Sequence, residues 1–226
     1  MIEIIPTCVP MRDIDVAVCV SSIRGFSSKI HIDIDDGVFA PVFTWPYTKP
    51  GKWGEFILPE MDGMESEIHL MVANSREVGI QFARSGAKRV IGHVETFDTP
   101  EDVQRTFDAW LENGAQEVGL GILLATPLES LRSFILSCDV VHMMSIATIG
   151  TQGIAYDKSA PTRIAELHAQ YPDLLISVDG GVAESNIADL VHAGARRFGV
   201  GSALTKSDDP AAAYNRLKIL AESAIL

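Results

Sequence analysis

The chain has 226 residues, 47% of them hydrophobic and 21% charged, enough to bury one full core without a second domain. A formal charge of -12, with no basic run and no Lys/Arg stripe interleaved with aromatics, speaks against a nucleic-acid partner. Apolar runs fall far short of the roughly 20 residues that span a bilayer, the N-terminus lacks a basic leader, and Cys8, Cys19 and Cys138 form no CxxC, so a soluble cytoplasmic protein with no membrane partner is expected.

Short β-rich runs alternate with longer helical segments, the pattern of repeated βα units around a parallel sheet. After a first strand at Glu3–Cys8 comes Lys29–Asp35, where alternation puts His31 and Asp33 on one face and Ile30, Ile32 and Ile34 on the other. The rhythm then stops. Prolines 41, 46, 50 and 59 lie among Phe39, Phe43, Trp45, Tyr47 and Trp53 without a helical period, so 38–66 reads as an irregular excursion. Such a stretch covers the site, meets another subunit or packs on its own aromatics.

Strand Glu67–Val72 carries His69, and strand Arg89–His93 ends in His93, read as a supporting or structural histidine. Thr99 caps a helix at Pro100–Asn113, with acids in its first turn and an apolar stripe of Val103, Phe107, Trp110 and Leu111. Strand Glu117–Leu120 follows, and Thr126-Pro127-Leu128-Glu129 repeats the helix-start device. Next come strand Val140–Met144, helix Pro161–Gln170, strand Leu175–Asp179, strand Arg197–Val200 and helix Pro210–Ala224. Gly86, Gly114 and Gly194 each follow a helix and precede a strand, the place of a left-handed cap. Eight strands predict a closed (β/α)8 TIM barrel, an α/β single domain over 1–226. His142, His168 and His192 read as packing or surface residues.

His31, Asp33, His69 and Asp179 all fall at C-terminal strand ends, where such barrels place their active sites. Two imidazoles and two carboxylates suit one divalent cation, with Zn, Fe, Mn and Co all compatible. Asp33 and Asp179, on strands far apart in sequence, can face one another across a substrate. One would remove a proton from a carbon and the other return it on the opposite side, inverting the centre without a redox cofactor. Gly201-Ser202, opening a helical turn, and Gly180-Gly181 form a phosphate-binding pair of loops after the last two strands.

These pieces carry a resemblance. His31-Ile-Asp33-Ile-Asp-Asp36-Gly37, Ile68-His69-Leu-Met71-Val, Gly92-His93-Val-Glu95, Ala125-Thr126-Pro127-Leu128-Glu129, Met144-Ser145, Val178-Asp179-Gly180-Gly181 and Gly201-Ser202-Ala203 resemble, in order and spacing, the ribulose-phosphate 3-epimerase family of metal-dependent barrels. The resemblance implies 3-epimerisation of a ketose phosphate of the ribulose 5-phosphate/xylulose 5-phosphate type through a metal-stabilised enediolate. His31, Asp33, His69 and Asp179 are then the metal ligands, with Asp33 and Asp179 also the catalytic acid/base pair. Thr7, Asp35, Met71, Met144, Gly150, Gly180, Gly181, Gly201 and Ser202 are implied to touch substrate. A sugar phosphate is the small-molecule partner, and a homo-oligomer is expected, with Trp45, Tyr47 and Trp53 as exposed contact candidates.

The chain departs from the family pattern at four places, one being Val38 and Val42 where the family carries His and Asn. Asp35 stands where the family has Met, adding a third inward carboxylate that would raise a neighbour's pKa or grip a polar substrate group or a second cation. Thr7 keeps the hydroxyl of an N-terminal Ser motif. The glycine-rich loop after the sixth strand is here Ala147-Thr148-Ile149-Gly150-Thr151-Gln152-Gly153. Two rival readings follow: an epimerase of a hexulose phosphate or unphosphorylated ketose, and a barrel that binds sugar phosphate without turning it over.

Overall fold

A computed structural model describes residues 1–150 and 154–225. In chain order its elements are β1 (Glu3–Cys8), α1 (Asp13–Ile23), β2 (Lys29–Asp35), β3 (Tyr47–Lys49), β4 (Lys52–Trp53), β5 (Glu65–Met71), α2 (Ser75–Arg84) and β6 (Arg89–His93). There follow α3 (Pro100–Glu112), β7 (Glu117–Ile122), β8 (Val140–Met144), α4 (Ala160–Gln170), β9 (Leu175–Asp179), α5 (Ile187–His192), β10 (Arg197–Val200), α6 (Ser202–Thr205) and α7 (Pro210–Ser223). The strands close as β1-β10-β9-β8-β7-β6-β5-β2, parallel throughout, while β3 and β4 form a separate two-stranded sheet. This is the expected (β/α)8 barrel in one domain.

Alternation divides each strand's work. On β2, Ile30, Ile32 and Ile34 are buried against the outer helices, leaving His31, Asp33 and Asp35 for the interior. Register then fixes neighbours: Asp33 lies beside His69, Asp35 beside Met71, His142 beside Ser177 and Met144 beside Asp179. The αβ joints use left-handed glycine as expected, with Gly86, Gly114 and Gly194 at φ 103°, 118° and 118°. Thr99 caps α3 by accepting from the Asp102 N–H.

Two expectations change. The Thr126-Pro127 device starts only a 3₁₀ turn at Leu128–Leu131, which no side chain caps, and the Thr126 carbonyl is held by Arg163. The excursion is not structureless: Pro50-Gly51 turns β3 into β4, with Gly51 at φ 66°. Several of its aromatics pack together, while Phe43 stays exposed. Trp45 and Trp53 pack on Phe56, which meets Phe82 of α2 at 4.5 Å between ring centroids, and Tyr47 is buried. Tyr47 is therefore core, while Trp45 and Trp53 are half-buried and pack against it.

At the opposite end of the barrel the first residues of several strands form a charged layer. Arg197, only 2% exposed, donates to Glu3 at 2.6 Å, to Glu67 at 3.1 Å and to Glu117, while Arg89 and Lys29 also hold Glu3. Glu67 reaches upward from this layer to His31.

Candidate active site

At the C-terminal mouth one pocket is lined by Thr7, Asp33, Asp35, Met71, Met144, Gly150, Asp179, Gly180, Gly181, Gly201 and Ser202, together with Val9, Ile146, Ile154 and Val182. All the residues expected to touch substrate thus border one space. His31 and His69 lie beneath it, fully buried. Thr151, Gln152 and Gly153 of the loop after β8 lie outside the described residues.

Asp33 Oδ1 stands 3.1 Å from His31 Nε2 and 2.9 Å from His69 Nδ1. Each imidazole is held from behind by its other nitrogen. His31 Nδ1 meets Glu67 at 2.7 Å, and His69 Nε2 meets His93 Nε2 at 2.9 Å, with His93 Nδ1 in turn 3.1 Å from Glu95. Such backing fixes ring orientation and tautomer, as outer partners do in histidine metal sites. The supporting role expected of His93 matches its place.

One group had not been anticipated. Donor atoms of His31, His69, His142 and Asp179 lie within 4.8 Å of one another. His142, read from the sequence as a packing or surface residue, is fully buried, and its ring stacks on His31 at 5.1 Å and crosses His69 at 4.5 Å between centroids. Asp33 is outside that mutual group yet bonds two of its members. Imidazoles and carboxylates in this number form a donor set that fits a borderline divalent cation.

Charge is distributed unevenly over the aspartates. Burial opposes ionisation of Asp33, yet His31 and His69 beside it hold its carboxyl well below the usual carboxylate range. Asp179 moves the other way, raised by burial and by the Asp33 charge. Two carboxyls pushed apart in this manner are suited to opposite parts in proton transfer. Burial and the charges of Asp33 and Asp36 lift Asp35 to about 8. Among the described residues neither Asp35 oxygen has a hydrogen-bond partner, although its backbone N–H donates to Thr44 Oγ1.

Local backbone explains how these groups are presented. Asp36 accepts from the N–H groups of Val38, Phe39 and Ala73, tying the end of β2 to the loop after β5. Ser145 Oγ donates to the carbonyls of Asp179 and Gly180, which sets the turn carrying Asp179. Gly180 and Gly181 adopt φ of 108° and 68°, and a Cβ at 180 would meet Ile146 at 2.8 Å. Gly150, at φ 78°, leaves room for Asp35, since a Cβ there would fall 2.9 Å from Oδ1. Ser145 and Thr44 carried no sequence signal for these roles beyond being small hydroxyl residues near strand ends.

A closed parallel barrel with paired aspartates and buried histidines at its C-terminal mouth defines a barrel enzyme. The chain matches the profile of the ribulose-phosphate 3 epimerase family over residues 15–205. It is 29% identical over 209 residues to the ribulose-phosphate 3-epimerase of Aquifex aeolicus (strain VF5), covering 91% of this chain and 90% of that protein. With the Chlamydia pneumoniae ribulose-phosphate 3-epimerase it shares 31% identity over 188 residues, 80% of this chain and 78% of the relative. Among solved structures, KGPDC from Streptococcus mutans superposes with a TM-score of 0.67 at 10% identity, covering 99% of each chain. The 3-hexulose-6-phosphate synthase from Salmonella typhimurium gives 0.66 at 15% identity, covering 98% of this chain and 99% of that one. These two likenesses establish the barrel alone. The protein belongs to the ribulose-phosphate 3-epimerase family, isomerases that act on carbohydrates. No described helix is long and apolar enough to cross a membrane.

Proposed function

We propose that this chain is a metal-dependent 3-epimerase of a ketose phosphate, of the type that interconverts ribulose 5-phosphate and xylulose 5-phosphate. The observation that carries the reading is that Asp33 and Asp179, with opposite electrostatic bias, border one pocket above a histidine cluster. Asp33, kept ionised, takes the C3 proton from one face of the sugar. Asp179, kept protonated, returns a proton from the other face, and the two exchange parts in the reverse direction. His31, Asp33, His69 and Asp179 would hold a divalent cation, Zn, Fe, Mn or Co. When bound, it supplies positive charge beside the oxygens over which the enediolate spreads its charge.

Substrate is oriented by the rest of the pocket. Backbone N–H groups of Gly180, Gly181, Gly201 and Ser202 face the phosphate, in loops that follow the seventh and eighth barrel strands. Thr7 and Asp35 take sugar hydroxyls, Met71 and Met144 wall the reacting carbons, and Gly150 leaves space beside Asp35 that a side chain would fill. The protein works in the cytoplasm, which keeps its three free cysteines reduced, and as a homo-oligomer.

In deuterated water the enzyme should wash deuterium into C3 of a ketose phosphate, and a panel with and without phosphate should favour the phosphorylated pentulose. Asp33→Asn and Asp179→Asn should each slow that exchange by about a hundredfold or more, with circular dichroism unchanged. Chelation should abolish turnover. Exchange retained in either variant would remove that aspartate from proton transfer, and activity unchanged without metal would remove the cation from the mechanism.

A further inference from the structure

Building on the metal-site reading above, we propose that His142 is a further ligand of the bound cation, so that three imidazoles rather than two surround it. The imidazole lies on β8, fully buried, in register with Ser177 of β9. Its Nδ1 is 2.9 Å from Ser177 Oγ, whereas its Nε2 is buried with no hydrogen-bond partner among the described residues. A buried ring nitrogen left without a partner is costly unless a group outside the polypeptide completes it. The atom is not isolated among apolar side chains. A donor atom of His142 lies within 4.8 Å of donor atoms on His31, His69 and Asp179.

The three imidazoles share one design. In each, one nitrogen is engaged from behind, His31 by Glu67, His69 by His93 and His142 by Ser177. His31 and His69 direct the other nitrogen at Asp33 Oδ1. The same backing of His142 leaves its second nitrogen for the group all three enclose, which is what a ligating imidazole needs. A nitrogen-rich set of this kind selects borderline cations such as Zn²⁺ and Co²⁺ over Mg²⁺ and Mn²⁺.

Metal binding itself tests this, independently of turnover. Purified protein would be stripped and titrated with Zn²⁺ and Co²⁺ in competition with a chromophoric chelator, with the cobalt absorption spectrum and X-ray absorption of the zinc form recorded. His142→Leu should weaken Zn²⁺ binding by about tenfold or more, shift the cobalt bands and lower the imidazole count from three to two. Should the Leu variant misfold, Ser177→Ala, which only frees the ring, should still weaken binding by about tenfold. Equal affinity in wild type and both folded variants, or an imidazole count of two in wild-type protein, overturns the inference while leaving the metal-site reading intact. Wild-type protein that binds neither cation overturns that reading and this inference together.

Discussion

At the scale of single residues the most telling group is Asp35. It is 0% exposed, both of its oxygens lack partners among the described residues, and it borders the pocket between Met71 and Gly150. A buried carboxyl in that condition weakens the fold by roughly 1–3 kcal/mol, a cost that function can justify only if substrate satisfies it. Asp35→Met should therefore raise the thermal midpoint while lowering kcat/KM for the preferred ketose phosphate by about ten- to a hundredfold, the worth of one hydrogen bond to a charged or strongly polar group. A variant that is more stable and equally active would show that the carboxyl does not touch substrate. Asp33, Asp179 and Asp35 were legible in the sequence because alternation along a strand and position before a loop are local properties. His142 was not. Its own strand reads as the apolar run VVHMM, and only the lateral register with Ser177 and the neighbouring histidines reveals its surroundings. Glu67 was missed for the same reason: its partners Arg197 and His31 come from distant strands.

At the scale of elements, the strands and the glycine-capped joints were readable, since each depends on a few adjacent residues. The 3₁₀ turn at Leu128–Leu131 and the β3–β4 hairpin were not, because what decides them is competition from distant groups such as Arg163 and Phe82. Helix packing makes the point quantitative at Gly79. Local propensity favours Ala over Gly inside a helix by about 1 kcal/mol. In α2, however, a Cβ at 79 would fall 2.3 Å from Trp110 Nε1, and that nitrogen already donates to the Arg76 carbonyl at 3.1 Å. Trp110 is fully buried on α3 and has nowhere to retreat. Gly79→Ala should thus lose about 1–3 kcal/mol net in urea unfolding, as overpacked cores do. A gain in stability would mean that the indole moves freely and that propensity rules this contact.

The whole molecule is closed at the seam where its first and last barrel strands meet, β1 against β10. Glu3 and Arg197 bridge that seam at 2.6 Å, and Arg197 extends the tie to Glu67 and Glu117 on β5 and β7. Burial alone would push the Glu3 carboxyl up, but Arg89, Lys29 and Arg197 together bring it down from 4.5 to about 2. Because the folded value lies below the unfolded one, the stabilisation is complete above about pH 4.5 and is lost as pH falls toward about 2. Discounted for solvent at its partly exposed edge, it amounts to roughly 2 kcal/mol. Glu3→Gln, measured by urea unfolding at a series of pH values, should be less stable than wild type at neutral pH. The difference between the two proteins should shrink by roughly 2 kcal/mol between pH 4.5 and pH 2, as wild type loses the charge that the variant never had. Groups titrating elsewhere affect both proteins alike and cancel in that difference. A gap that stays constant across the interval would mean that Glu3 closes the barrel by shape and packing, with its charge contributing nothing at the seam.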